Sequence, residues 1–397
     1  MLARRQYKYS NVTVIATVGI SVEQQSKKYK VGIVGATGMV GQRFIAIIAN
    51  HPWFDVASVA ASSKSSGKTY EEAVAGRWMM KDPLPESVRE LVVLSAESDI
   101  RKIADEVDFI FCAVTMSREE TSALEEAFAK AECPVISANS AHRNTPDVPM
   151  IIPEINPQHL KIIESQRKRL GVERGFITVK SNCSIQSYVP ALHPLREKFG
   201  LEKVLVCTYQ AISGAGKTFE TWPEMIENVI PYIGGDEEKK SEREPLKIWG
   251  NLEENSIVPA SLPDISAQCV RVAALDGHMA AVHMSLREKT SKENIIGLWR
   301  EYEGLPQKLN LPSAPRQFLH YFDEQDRPQT KLDCMLENGM AISLGRLRED
   351  SQYDYKFIGL SHNTLRGAAG GAVLTAELLC AEGYISGGQK AICASLQ

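Results

Sequence analysis

The chain has 397 residues, 44% of them hydrophobic, a length that exceeds what one core usually holds and predicts about two domains. A formal net charge of -4 and a pI near 6.1 offer no overall attraction to nucleic acid or to an anionic membrane. No apolar run approaches the ~20 residues that cross a bilayer, and the eight cysteines show no CxxC pair of the kind that zinc and dithiol sites use, so a cytoplasmic protein acting on a small molecule, without a metal, is the expected class.

Residues 1–27 place Arg4, Arg5 and Lys8 ahead of a broken apolar patch and are expected to form an unanchored extension. From there Lys30-Val31-Gly32-Ile33-Val34-Gly35 reads as a strand entering a glycine turn, and residues 40–50 as a helix. Strands follow at 54–60, 108–114 and 134–138, with helices at 100–106 and 119–130; such alternation implies a parallel sheet. After Ile151-Ile152-Pro153-Glu154 the texture changes. A polar helix over 158–170 and a strand at 177–180 precede Ser181-Asn182-Cys183-Ser184, which opens a helix. Runs at 203–211, 270–274, 280–286 and 340–347 read as strands of an antiparallel or mixed sheet, and the charged stretch 234–244 as solvated. A small-residue helix after Gly370-Gly371 is expected to return onto the first domain. The fold class is therefore α/β: a Rossmann-type dinucleotide-binding domain, residues 28–152 with 359–397, and an α+β second domain, residues 153–358.

Four motifs carry chemistry. Gly35-Ala36-Thr37-Gly38-Met39-Val40-Gly41 sits where backbone N–H groups at a helix N-terminus approach a pyrophosphate, although its G-x-x-G-x-x-G spacing differs from the usual G-x-G-x-x-G and a plain tight turn is the competing reading. After the second strand the acidic residue that binds a ribose hydroxyl is missing. Ser62, Lys64 and Ser65 stand there instead and suit the 2′-phosphate of NADP(H), unless this is an ordinary exposed loop. Cys183, at a strand-to-helix junction, has the address of a thiolate nucleophile, against the alternative of a buried structural cysteine. Arg271 through Gly277 and His278 form a strand leading into a turn that presents guanidinium and imidazole together, where a structural histidine is the plainer alternative.

In order and spacing these motifs, with Gln210-Ala211-Ile212-Ser213-Gly214-Ala215-Gly216, resemble the aspartate-semialdehyde dehydrogenase family over nearly all of the chain beyond residue 27. The resemblance implies that Cys183 is the nucleophile, that Gln210 orients the thiohemiacetal and that His278 relays the proton. Arg271 and Glu244 would hold the substrate's amino-acid head, Arg143 and Lys247 its phosphate, Asn182 would shape the acyl site, and Asn363 would position the nicotinamide. It further implies NADPH-dependent reduction of L-aspartyl 4-phosphate to L-aspartate 4-semialdehyde through a cysteine thioester, on the route to diaminopimelate, lysine, methionine and threonine. The second domain would be catalytic and join copies into a homodimer or homotetramer. Where many bacterial members carry threonine after the cysteine, this chain has Ser184, as in the fungal and archaeal-type branch that also includes malonyl-CoA reductases. Malonyl-CoA reduction, N-acetyl-glutamyl-phosphate reduction and a non-catalytic NADP-binding protein stand as rivals, separable by phosphate dependence and by the reactivity of Cys183.

Overall fold

The computed structural model describes residues 28–387; the extension read over residues 1–27, and residues 388–397, lie outside them. β1 (Tyr29–Val34) ends in four consecutive buried residues, the pattern of a strand covered on both faces. β2 (Phe54–Ala61), β3 (Leu94–Ser95), β4 (Phe109–Cys112), β5 (Val135–Ser137), β6 (Met150–Ile151) and β7 (Ile177–Lys180) complete a parallel sheet in the order β3-β2-β1-β4-β5-β7-β6. The strand order reverses between β1 and β4. Open α/β sheets bind ligands at such a switch point, outside the carboxyl ends of the strands. Helix Met39–Ile48 follows β1 and packs on the sheet through Phe44, whose ring stacks on that of Phe111 with centroids 4.4 Å apart.

The second domain comprises β8 (Leu201–Gln210), β9 (Val229–Ile230), the ribbon of β10 (Asn251–Leu252) and β11 (Ile257–Val258), then β12 (Asp264–Val272), β13 (His278–Leu286), β14 (Leu319–Phe322), β15 (Ile342–Glu349) and β16 (Tyr355–Ser361). Its mixed sheet runs β14-β15-β16-β13-β8-β12-β9. β13 alternates buried and half-buried residues throughout, as a sheet with one covered face requires. The less covered face carries Leu205, Cys207 and Tyr209 of β8 beside Met279 and Ala281 of β13 and Ile358 of β16.

The structure changes several expectations. β7 hydrogen-bonds between β5 and β6, so the first sheet runs on to Lys180 rather than ending at 152, and the chain leaves it straight into Ser181-Asn182-Cys183. The stretch read as solvated is largely helix Glu237–Ile248, whose inner face buries Ser241, Glu244 and Lys247; charged residues satisfied by partners carry no hydrophobic period to announce them. Cys183 caps only a single 3-10 turn, Ser184–Ser187, before helix Val189–Phe199, so little helix dipole acts on it. That turn presses on the second sheet: a Cβ at Gly359 would lie 1.9 Å from Ser187 O. β16 and β14 escaped the sequence reading. Helix Gly370–Ala381 returns as expected, burying Val373, Leu374 and Leu378 in the core that holds Val31, Ile33 and Phe44.

Candidate active site

The glycine turn has the shape of a phosphate cradle. Gly35 has φ of 91°, and a Cβ on it would meet Ala113 O at 2.4 Å, while one on Gly41 would meet Gly35 O at 2.3 Å; the turn and the close helix-to-strand packing both require glycine. Gly38, the N-cap of helix Met39–Ile48, is exposed, makes no side-chain cap bond, and has nothing nearer to its would-be Cβ than Gly35 O at 3.5 Å. The helix therefore opens onto free space with backbone donors facing it, a site suited to an anion. Thr37, Met39 and Val40 are half-buried around this opening, and the buried Ala36 has its carbonyl held by the Tyr70 hydroxyl at 2.8 Å. Past β2, Ser62 and Lys64 are exposed, but Ser65 is buried, with its N–H on Ser62 O at 3.0 Å. Ser62 and Lys64 are the more open of the three side chains read as suited to a 2′-phosphate.

Across the crevice, strand register aligns the second domain's groups. Gln210 and Arg271 are paired at the ends of parallel β8 and β12, and antiparallel β13 begins with His278 opposite Ser361. Both basic groups converge on Ala211: Arg271 Nη1 donates to its carbonyl at 2.7 Å, and its N–H donates to His278 Nδ1 at 3.1 Å. Because Nδ1 accepts, the ring proton sits on Nε2, which is buried and has no hydrogen-bond partner among the described residues. Burial first, then Arg271, His362 and Lys180, hold the imidazole well below its ordinary pKa and so neutral. A Cβ on Gly214 would lie 2.9 Å from Nε2, so glycine keeps that donor open. Asn363 braces the same turn, accepting Gly277 N–H and donating to Ser213 Oγ, each at 2.8 Å. One end of its amide thus holds the turn that delivers His278 and the other the turn that follows β8.

Cys183 is half-buried between the two sheets, with Gly367 packed so closely that a Cβ there would lie 2.7 Å from its own Cβ. Burial raises its thiol pKa; Lys180, Arg143 and Arg271 pull it down, and Glu237 opposes them. Asn182 links two carboxylates. Its N–H donates to Glu244 Oε2 at 2.5 Å and its side-chain amide to Glu237 Oε1 at 2.9 Å, an oxygen that also accepts from Gln210 Nε2 at 3.1 Å. Glu244 Oε1 is paired with Arg143 Nη1 at 2.9 Å, while Arg143 Nε is buried without a partner among the described residues.

Lys247 stands differently from its expected part as a phosphate ligand. Its ammonium donates to the carbonyls of Arg143, Thr145 and Val148 at 2.7, 2.7 and 2.9 Å, which occupies all three N–H donors. It braces the loop that carries Arg143. A cleft of about 240 Å³ beside Arg143 and Glu244 is lined by further cations, Arg118, Lys239, Lys240 and Arg243, of which Lys239 pairs with Asp236 at 3.2 Å and Lys240 with Glu237 at 3.7 Å. Sequence reasoning missed these, and missed Glu237, Lys180 and Gly367. Glu237 lies seven residues before Glu244, on the same helix face, which was its one available signal.

Residues 30–163 match the semialdehyde dehydrogenase NAD binding domain, and residues 192–366 the semialdehyde dehydrogenase dimerisation domain. The aspartate-semialdehyde dehydrogenase of Aspergillus fumigatus is 40% identical over 366 residues, covering 90% of this chain and 99% of that protein. The chain belongs to the aspartate-semialdehyde dehydrogenase family. A member from the archaeon Methanothermobacter thermautotrophicus is 41% identical over 352 residues, covering 88% of this chain and 98% of its own. The crystal structure of the Candida albicans aspartate-semialdehyde dehydrogenase with NADP superposes with a TM-score of 0.80 at 37% identity, covering 90% of this chain and all of that one. The fungal and archaeal likeness agrees with the branch indicated by Ser184. In this member of the family Cys183 falls between the two matched domains, on the loop that joins one sheet to the other.

Proposed function

We propose that this protein catalyses the reduction of L-aspartyl 4-phosphate to L-aspartate 4-semialdehyde, with release of phosphate, through a thioester on Cys183. The observation that carries this reading is the setting of Cys183 among Lys180, Arg143 and Arg271, two of which, Lys180 and Arg271, also face the buried His278, whose Nε2 has no hydrogen-bond partner among the described residues. Sγ of Cys183 attacks the acyl carbon, the bond from that carbon to the phosphate oxygen breaks, and phosphate leaves with the electron pair toward Arg143 and the cations of its cleft. Arg271 takes the substrate carboxylate, and the ammonium meets the carboxylates of Glu237 and Glu244 that Asn182 links.

The cradle from Gly35 to Val40, with Ser62 and Lys64, would hold NADPH, which supplies a hydride for the thioester carbon when bound. The charge that then develops on the substrate oxygen is met by the Nε2–H of His278, a preorganised donor in a dry site. Because Nδ1 already accepts from Ala211, the neutral ring favours this hydrogen-bond role over taking a second proton. Gln210, fixed by Thr208 and Glu237, would orient the thiohemiacetal.

The half-covered face of the second sheet, with Leu205, Tyr209, Met279 and Ile358, is where a second copy of the chain would pack, and sedimentation distinguishes a homodimer from a homotetramer. No helix among the described residues is long and apolar enough to cross a membrane, and the described cysteines are free, which supports placing the enzyme in the reducing cytoplasm. The deciding assay mixes the protein with L-aspartate 4-semialdehyde, phosphate and NADP and follows reduced cofactor by absorbance. Turnover that needs phosphate and vanishes in Cys183→Ala is expected; turnover only when coenzyme A replaces phosphate moves the assignment to the malonyl branch, and silence in both rejects an enzyme of this class.

A further inference from the structure

His278 is neutral, and no hydrogen bond joins it to Cys183 among the described residues, so the charge that lets the thiol ionise has another source. Lys180, the last residue of β7, is buried at 8% exposure. Its ammonium donates to Ser181 O at 2.5 Å and to Gly367 O, tying together the two pieces of backbone that enclose Cys183: its own loop and the segment after β16. Among the described residues no carboxylate lies within ion-pair distance of it. A buried ammonium without a counter-ion is costly to the fold. That cost has a rationale if the counter-ion forms only during turnover.

We propose that Lys180 is a positioning residue for Cys183, holding the nucleophile's loop and serving as the resident counter-charge of its thiolate; this rests on the reading of Cys183 as nucleophile. The charged groups that face Cys183 are Lys180, Glu237, Arg143 and Arg271, and those that face Lys180, besides the thiol, are Arg143, Glu244 and Glu237. Of the influences that favour the thiolate, Lys180 is the largest. Burial draws the lysine itself down to about 8, which leaves it an ammonium at neutral pH.

The test is the rate of iodoacetamide labelling of Cys183, read by mass spectrometry of its peptide across pH, in the full chain and in Lys180→Met, Lys180→Gln and Lys180→Arg. Loss of the charge in Met and Gln is expected to move the midpoint up by about one unit, a roughly tenfold slower labelling near pH 7.5, with Arg restoring it. Gln keeps a donor for the two carbonyls, so it decides the matter if circular dichroism shows Met to be misfolded. A midpoint unmoved in Gln, even with turnover reduced, would assign Lys180 to structure alone and overturn the proposal. Turnover of Cys183→Ala is measured in parallel. Activity retained there refutes the nucleophile itself, and with it the catalytic meaning of Lys180, whatever the labelling profile shows.

Discussion

Arg366 and Glu154 form a doubly hydrogen-bonded ion pair sealed from solvent, Nη1 to Oε1 at 2.7 Å and Nη2 to Oε2 at 2.5 Å. Glu154 follows the first sheet's β6, and Arg366 follows the second sheet's β16. The same guanidinium gives its Nε–H to Gln186, in the turn after Cys183, at 3.1 Å, and lies 4.6 Å from the Phe318 ring centroid. One buried pair thus fastens both sheets to the turn that follows Cys183.

Glu154→Gln is expected to destabilise the fold by about 3–5 kcal/mol, because it strands a buried guanidinium. The double change Glu154→Gln with Arg366→Met, which removes both charges, is expected to cost less than the single one. Urea unfolding of each protein, compared by midpoint at constant slope, checks the order.

Gly214→Ala places a methyl 2.9 Å from His278 Nε2 and 3.1 Å from Arg271 Nη1. The backbone tolerates alanine there, since Gly214 is not among the positive-φ glycines. A fall of about 10²-fold in kcat is expected, of the size seen when one oxyanion donor is lost, with NADP(H) affinity unchanged. Steady-state kinetics and a fluorescence titration of the cofactor measure the two quantities.

His278→Ala is expected to lower turnover by about 10²–10⁴-fold. In the unaltered enzyme the imidazole, held well below its ordinary range, stays neutral as pH falls from 8 through 6.5. The pH-rate profile should therefore show no loss of activity from this group in that window, and a limb near 6.5 that disappears in a His278 variant would contradict the neutral ring.

Lys247 gives a signed stability prediction. Burial lowers its folded pKa to about 8 against the ordinary 10.5, so between those values the unfolded chain binds more protons than the folded one. Its contribution is present above 10.5 and is lost as pH falls through about 8. Urea stability of the unaltered protein minus that of Lys247→Met should therefore rise from pH 8 to pH 10; a flat or falling difference would show that the lysine is not buried as described.

Much of the first domain was legible in the chain because its strands are covered on both faces and its helices start at local signals. Val31 to Val34 announce β1 without reference to anything distant, and Gly35 and Gly41 announce the turn because only glycine fits those two places. Helix Ile100–Glu106 fell where its spacing put it. Cys183 and His278 were visible as motif residues at the ends of strands. The second domain was less legible: helix Glu237–Ile248 buries charges, and β16 buries residues against a strand far away in sequence.

What the sequence determined by itself was therefore the class of fold, and it also supplied the candidates for the cofactor cradle and the reacting groups, since each is written in a few neighbouring residues. Tertiary structure alone decided what those groups are free to do. Lys247 looked like a phosphate ligand until three carbonyls from a loop about a hundred positions away in the chain took its donors, and Lys180 looked like the end of a strand until Gly367 closed over it. The proton position on His278 follows from one N–H at Ala211, 67 residues upstream. Hydrogen-bond saturation and burial depend on contacts between segments far apart in the chain, and no local pattern encodes them.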